Sequence, residues 1–512
     1  MTIASVSTAD SAVDRRLRAT GMQVETAVAL IGCLIVLVAD TQSLSLIPLL
    51  PQLEKEYGLT PSQTSWALAA VTLVGAAWAP TLTRLGDKLG MRRLVLASLI
   101  VSVAGNLLSA VAHGFVVFLI GRALLGLSAA GPLVYAILRA RSTSERRINR
   151  GVGILTVAIG AGIAVSYLLS GFIIEANGSV RTVFWVMAAL SAVTLAIGWW
   201  ILPDAHVRSV HPIDWGGAIG VSAGLVCIVL AITEGNAWGW SSARVIGLLA
   251  GGVAVFALWV VYERHQSYPL INVRRVVNRT ALPSFIVAGL CSALAIYSNL
   301  ASVTYLEMPR VVGYGLGQSV LQTAGVLCVI SAAVVIGGFV AAPVITRFGP
   351  RRTMAVAALV IAATFFALAY GHDQVWEYVV TNFSWGAGFA FAYSAAGAAY
   401  LQDATPAEAA MYSSANTVIA AGIGSLGAGI FTAVLTSAPT IPHTLVPQPG
   451  VFTHLWIYAG ITGLVMLALT TIVRRPRFVP AGPNQPATAG RGTAAGSPPG
   501  QGPSSLRSGS GR

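Results

Sequence analysis

Charge is scarce in this sequence: 10% of its 512 residues are Asp, Glu, Lys or Arg, against about 25% in soluble domains. With 55% of the chain hydrophobic, that shortfall excludes a water-soluble globular protein. Lysine is nearly missing, Lys55 and Lys88 being the only two, so arginine carries the net charge of +13. A phosphate-binding loop needs Gly-Lys-Ser/Thr, and neither lysine follows a glycine. ATP-driven chemistry by that route is excluded. No His-Glu-x-x-His zinc pair is present, and no enzyme activity, metal or cofactor is expected. The cysteines are few as well. Cys33, Cys227, Cys291 and Cys328 all sit inside apolar runs, where free thiols behave as small hydrophobes, so no disulfide framework follows.

Long apolar runs fill the space that charge leaves. Fourteen are drawn at 24–49, 62–83, 92–112, 114–138, 151–174, 182–202, 213–234, 243–262, 280–305, 318–345, 353–371, 376–400, 413–436 and 452–473. Each is about long enough to cross a bilayer core, and the chain reads as an all-α polytopic membrane protein. The first run has no small-residue cleavage site after it and reads as a retained helix. With both termini inside, 26 of the 31 basic residues fall in cytoplasmic segments; Lys55, Arg181, Arg244 and Arg310 lie outside, and Arg122 lies within a span. That asymmetry follows the positive-inside rule, and it identifies the basic clusters as cytoplasmic loops rather than a nucleic-acid surface. Residues 479–512 are rich in Gly, Pro, Ala and Ser, a composition that cannot bury a core, and are expected to be a disordered tail. Gly422, Gly424, Gly427 and Gly429 mark a span face suited to close helix contact.

Two loops repeat one another. Asp87-Lys88-Leu89-Gly90-Met91-Arg92-Arg93 follows span 2, and Thr346-Arg347-Phe348-Gly349-Pro350-Arg351-Arg352 follows span 10. Glycine suits a tight turn, and the arginines suit helix C-terminal carbonyls and lipid phosphates. One loop occurring twice, 259 residues apart, implies two related helical bundles.

On these features the chain resembles the major facilitator superfamily, and within it the 14-helix drug:proton antiporter-2 branch. The resemblance is carried by Asp40 followed by Pro48-Leu49-Leu50-Pro51, by Arg84 to Arg93, by Gly121-Arg122-Ala123-Leu124-Leu125-Gly126, and by Ile213-Asp214-Trp215-Gly216-Gly217 with Gly239-Trp240 and Pro269-Leu270. It implies the major facilitator fold: a cytoplasmic segment 1–23, a six-helix bundle over 24–202, two additional helices over 213–262, a second six-helix bundle over 280–473, and the tail. Three departures stand out. Thr83 replaces the first Gly of the loop motif, and Leu125 replaces a Gln in span 4. In span 5, where the family's antiporter motif has Gly-Pro and then Gly-Gly, this chain has Gly162, then Ser166-Tyr167, then Ser170-Gly171. A proline-kinked, glycine-smooth helix differs in packing from one bearing a tyrosine.

Ionisable residues inside a membrane are costly and point to function. Of the eighteen acids only Asp40 lies deep in a span. It is about 12 Å from the Pro48 end, and Arg122 stands at about the same depth in span 4. The two invite an ion pair or a shared water cavity. Desolvation and the arginine act on the carboxyl proton in opposite senses, as a proton carrier requires; the alternative is a structural pair locking spans 1 and 4. The resemblance implies a conformational gate at Asp87, Lys88, Gly90, Arg92 and Arg93, with Arg347, Gly349, Arg351 and Arg352 as its counterpart. Glu234 and Glu307 are expected to be solvated at outer helix ends, the alternative being that either meets a cationic substrate. Trp66, Tyr135, Tyr297, Asn299, Trp385, Tyr393 and Asn416 are the candidate pocket residues, set against service as belt anchors or interhelical contacts.

The expected function is secondary active efflux of amphipathic drugs, dyes or antibiotics, driven by the proton gradient rather than by a cofactor. The alternatives are a dedicated exporter or flippase of an envelope lipid or metabolite, and a transport-dead sensor. The expected partners are the small-molecule substrate and membrane lipids, with no nucleic acid and a monomeric state. The expected location is a bacterial inner membrane.

Overall fold

A computed structural model describes residues 24–128, 130, 131, 133, 134, 137, 145–203, 214–266, 273–401, 406–437 and 447–473. The expectations for 1–23 and 479–512 lie outside the described residues. All regular structure among the described residues is helical: α1 Val24–Leu44, α2 Leu50–Tyr57, α3 Pro61–Leu89, α4 Met91–Val111, α5 Phe115–Leu127, α6 Glu145–Glu175, α7 Val180–Ile201, α8 Trp215–Trp238, α9 Ala243–His265, α10 Val273–Val276, α11 Ala281–Glu307, α12 Val320–Phe348, α13 Pro350–Tyr370, α14 Val375–Tyr400, α15 Pro406–Leu435 and α16 Pro449–Ile472. Each of the fourteen apolar segments overlaps a helix among the described residues, the fourth of them over Phe115–Leu127. Among the described residues, ten helices are long and apolar enough to cross a membrane, and Phe115–Leu127 and Gly160–Glu175 are shorter apolar stretches.

The repeat runs well beyond the loop. Thr60 caps α3 through a reciprocal bond pair with Gln63, and Ser319 caps α12 through the same pair with Gln322. Such boxes satisfy backbone N–H groups that a helix start leaves unpaired. Helices α3 and α12 each run 29 residues, and α4 and α13 each run 21. The offset of 259 therefore holds without a gap from residue 60 to 111.

Packing repeats with it. Helix α1 packs on α6 and α7, α4 on α5 and α7, and α3 on α5; correspondingly α11 packs on α15 and α16, α13 on α14 and α16, and α12 on α14. The two sets meet through α6 on α12 and α3 on α15, which exchange equivalent partners. The four glycines of α15 split between two neighbours. Gly424 and Gly427 lie against Ser292 and Ala293 of α11, while Gly422 and Gly429 lie against Leu225 and Thr233 of α8. Helix α8 also packs on α3 and α9. Only Val245, Gly252 and Glu263 of α9 are buried, so that helix covers α8 and turns most of its surface outward.

Candidate functional site

Asp40 and Arg122 share a depth but not a face. Asp40 looks from α1 toward α6, where a Cβ on residue 162 would stand 2.9 Å from its own Cβ. Its Oδ2 is buried and has no hydrogen-bond partner among the described residues. Arg122 is 0% exposed and donates through Nε to the Ala67 carbonyl at 3.2 Å and through Nη1 to the Gln42 carbonyl at 3.0 Å. Gln42 lies two residues past Asp40, about 200° around the helix. The expected ion pair is therefore not formed, because the arginine sits on the side of α1 that Asp40 leaves.

That opposite side carries a polar cluster the sequence reading did not assemble. The Gln42 Nε2 donates to Ser128 Oγ at 3.1 Å. Its Oε1 accepts from Ser102 Oγ at 2.7 Å and from Asn106 Nδ2 at 3.1 Å. Ser102 bonds Ser191 of α7 at 3.0 Å. Gln42 thus holds together the helices that surround Arg122. Leu125, in the place where the family has Gln, instead packs beside Gly105. The signal that could have found the cluster was the run Ser98, Ser102, Asn106 and Ser109, a polar stripe along one face of α4 at helical spacing.

The altered stretch of α6 ties the two halves. Tyr167 is 1% exposed and its hydroxyl accepts from Asn299 Nδ2 of α11 at 3.3 Å. Ser170 donates to the Ser45 carbonyl at 2.8 Å, while Ser166 bonds its own helix at Ile163. Gly171 lets α6 approach α12, since a Cβ there would stand 2.9 Å from the Leu321 Cα.

The two repeated loops match in geometry. Gly90 has φ +98° and Gly349 φ +82°, a region that disfavours side chains. Arg92 donates to the Leu202 and Trp199 carbonyls at the end of α7. Arg351, its counterpart, donates to the Thr471 carbonyl at the end of α16 at 3.0 Å. Arg347 lies over the Phe348 ring. Lys88, Arg93 and Arg352 are exposed. The Asp87 side chain lies outside the described residues.

The candidate pocket residues are scattered. Trp66 packs against Ala69, Leu73 and Val229. Tyr297 is buried and donates to the Leu455 carbonyl at 2.8 Å. Trp385 lies between Phe365 and Phe389, and Tyr393 stacks on Phe389 while accepting from Asn416 at 3.1 Å. Tyr135 lies outside the described residues. A cavity of about 220 Å³ opens elsewhere, at the end of the bundle opposite Gly90, between α2, α3, α11 and α15, and Glu54 and Glu307 line it. Glu307 is not the solvated side chain expected: its Oε2 accepts from Gln52 at 3.3 Å and its Oε1 is buried without a partner among the described residues. The reason is α2, which folds over the end of α11 and covers it.

Comparison with known proteins agrees with this architecture. Residues 32–429 match the sequence profile of the Major Facilitator Superfamily. An uncharacterized MFS-type transporter of Mycobacterium tuberculosis is 28% identical over 66% of this chain and 48% of its own length. The chain thus spans about half the length of that relative. The tetracenomycin C resistance and export protein of Streptomyces glaucescens is 26% identical over 62% of this chain and 58% of its own. Multidrug resistance protein 3 of Bacillus subtilis is 25% identical over 73% of each chain. Among solved structures, the peptide transporter POT in complex with sulfate superposes with a TM-score of 0.62 at 16% identity, covering 87% of this chain and 94% of that one. The nucleoside transporter NupG gives 0.60 at 15% identity, covering 89% of this chain and all of that one. At such identities the likeness concerns the fold.

Proposed function

The chain belongs to the major facilitator superfamily, and from that premise we propose that it is a proton-coupled exporter of amphipathic drugs, dyes or antibiotics. The reading places it in the 14-helix antiporter branch, with six-helix bundles over 24–202 and 280–473 and two added helices over 213–262. Both termini face the cytoplasm of a bacterial inner membrane, and the protein works as a monomer. Asp40 is the proton carrier, and the observation that carries this role is its buried Oδ2 against α6, without a hydrogen-bond partner among the described residues. A carboxyl with no fixed counter-ion can exchange its proton as the helix packing around it changes. Arg122 holds α1, α3 and α5 in register beside it. The loops at Gly90 and Gly349 gate the cytoplasmic side, with Asp87 as the acidic partner in the first.

The resistance and export proteins among the relatives support drugs or antibiotics as the cargo. A dedicated exporter of one lipid or metabolite is the second reading, favoured by Tyr167 binding Asn299 across the halves where the family has a kinking Gly-Pro. The test is ethidium uptake into inverted vesicles under an imposed pH gradient. Gradient-driven uptake by wild type that Asp40→Asn abolishes is the expected result. No uptake by folded wild-type protein sinks the multidrug reading for that dye class.

A further inference from the structure

The two arginines that close each repeated loop do not do the same work. Arg351 is engaged with the Thr471 carbonyl. Arg352 is exposed and has no bonding partner among the described residues. It stands at the rim of a groove of about 490 Å³ between α12, α13 and α14, well within the range of small-molecule sites, roughly 300–1,000 Å³.

The groove is shaped by side-chain size. Its floor is Ala357, Ala387 and Gly388, and its walls at the loop end are Phe348 and Phe391. Arg352, Val356 and Val360 follow at every fourth residue along α13, one face over about 12 Å of helix. Val356 is 62% exposed and Phe348 51%. Apart from Arg352 and Thr353 every residue lining the groove is apolar, and Arg347 lies over the ring of Phe348, one of its walls.

We propose that this groove is a binding site for one acyl chain of an anionic phospholipid, whose phosphate rests on Arg352. Charge complementarity selects the occupant: an apolar trough about 12 Å long ends at a cation with no bonding partner among the described residues, which matches a lipid bearing net negative charge at the interface. The assignment is independent of what the protein exports.

The test titrates phosphatidylglycerol with a fluorescent acyl chain into the full-length protein in neutral detergent, alongside phosphatidylcholine with the same chains. Wild type is expected to bind phosphatidylglycerol more tightly. Arg352→Gln weakens that binding about fivefold, the effect of one interfacial basic residue, and leaves phosphatidylcholine unchanged. Val356→Trp, which fills the trough at a tolerant exposed position, weakens both lipids while keeping the arginine. Arg93→Gln, the same change in the other repeat, leaves both affinities intact. Equal binding of the two lipids by wild type, or equal loss in Arg93→Gln and Arg352→Gln, overturns the site. Competition by glycerol phosphate as strong as that by the lipid reduces it to a headgroup contact and overturns the groove. Displacement of the labelled lipid by ethidium assigns the trough to cargo instead and overturns it too.

Discussion

Arg122 gives its Nη1 hydrogen to the main-chain carbonyl of Gln42, 3.0 Å away, rather than to the carboxylate of Asp40. The buried cation is thereby held by backbone, and the Asp40 carboxyl has no counter-ion among the described residues. Coupling on this account depends on Asp40 remaining free of Arg122.

The Gln42 side chain should prove a structural keystone. Gln42→Leu removes bonds to Ser102, Asn106 and Ser128 and strands buried polar atoms, at a cost of about 1–3 kcal/mol each at most. Interhelical bonds in membranes average nearer 0.6 kcal/mol, so a net loss of about 2 kcal/mol is expected. It is read as a lowered thermal midpoint of the detergent-solubilised protein. An unchanged midpoint contradicts the keystone role.

Gly162 should tolerate no side chain. In Gly162→Ala the new methyl meets the Asp40 Cβ at 2.9 Å, overpacking that costs about 1–3 kcal/mol and displaces the carboxyl. Gradient-driven dye uptake should fall. Gly325→Ala, with open space around it, should transport normally, and equal effects from the two would refute the steric argument.

The repeated turns give a third expectation. Gly90→Ala and Gly349→Ala each force a side chain into positive φ with extended ψ, at about 1–3 kcal/mol per residue. Because the turns lie in separate halves, the double variant should lose the sum of the two single losses. Thermal unfolding measures this, and a double variant no worse than either single one would deny that both turns are independently required.

Tyr167 supplies a fourth. Tyr167→Phe removes the bond to Asn299 across the halves, about 0.6 kcal/mol, and so favours separation about threefold. A cysteine placed at Thr304, in the cavity wall, should then react with a soluble thiol reagent about three times faster in a cysteine-free background. An identical labelling rate argues that the bond does not hold this conformation.

The repeated loop was legible in sequence because positive φ constrains residue type directly: Gly90 and Gly349 announce the turn, and Arg92 and Arg351 follow in register. The wider match, from Thr60 to Ser319 and onward, was equally available at the same offset, but its capping residues are commonplace without the loop to align them. The azimuth of a residue within a bundle was not legible. Depth along a helix follows from counting, and by depth Asp40 and Arg122 coincide. Which side of α1 faces α5 is decided by small residues elsewhere, Gly105 and Gly121 among them, where helices close on each other. The Gln42 cluster escaped for a related reason, since uncharged polar residues in apolar spans acquire meaning only when their neighbours are known. The fold of α2 over Glu307 had no local signal at all.

The most direct test of the central claim is to count protons. Ethidium is added to the purified protein in weakly buffered detergent solution, and a pH-indicator dye reports what is released. The account predicts that wild type sheds protons as it binds ethidium, while Asp40→Asn binds the dye and sheds none. Equal release from the two proteins would contradict Asp40 as the coupling carboxylate.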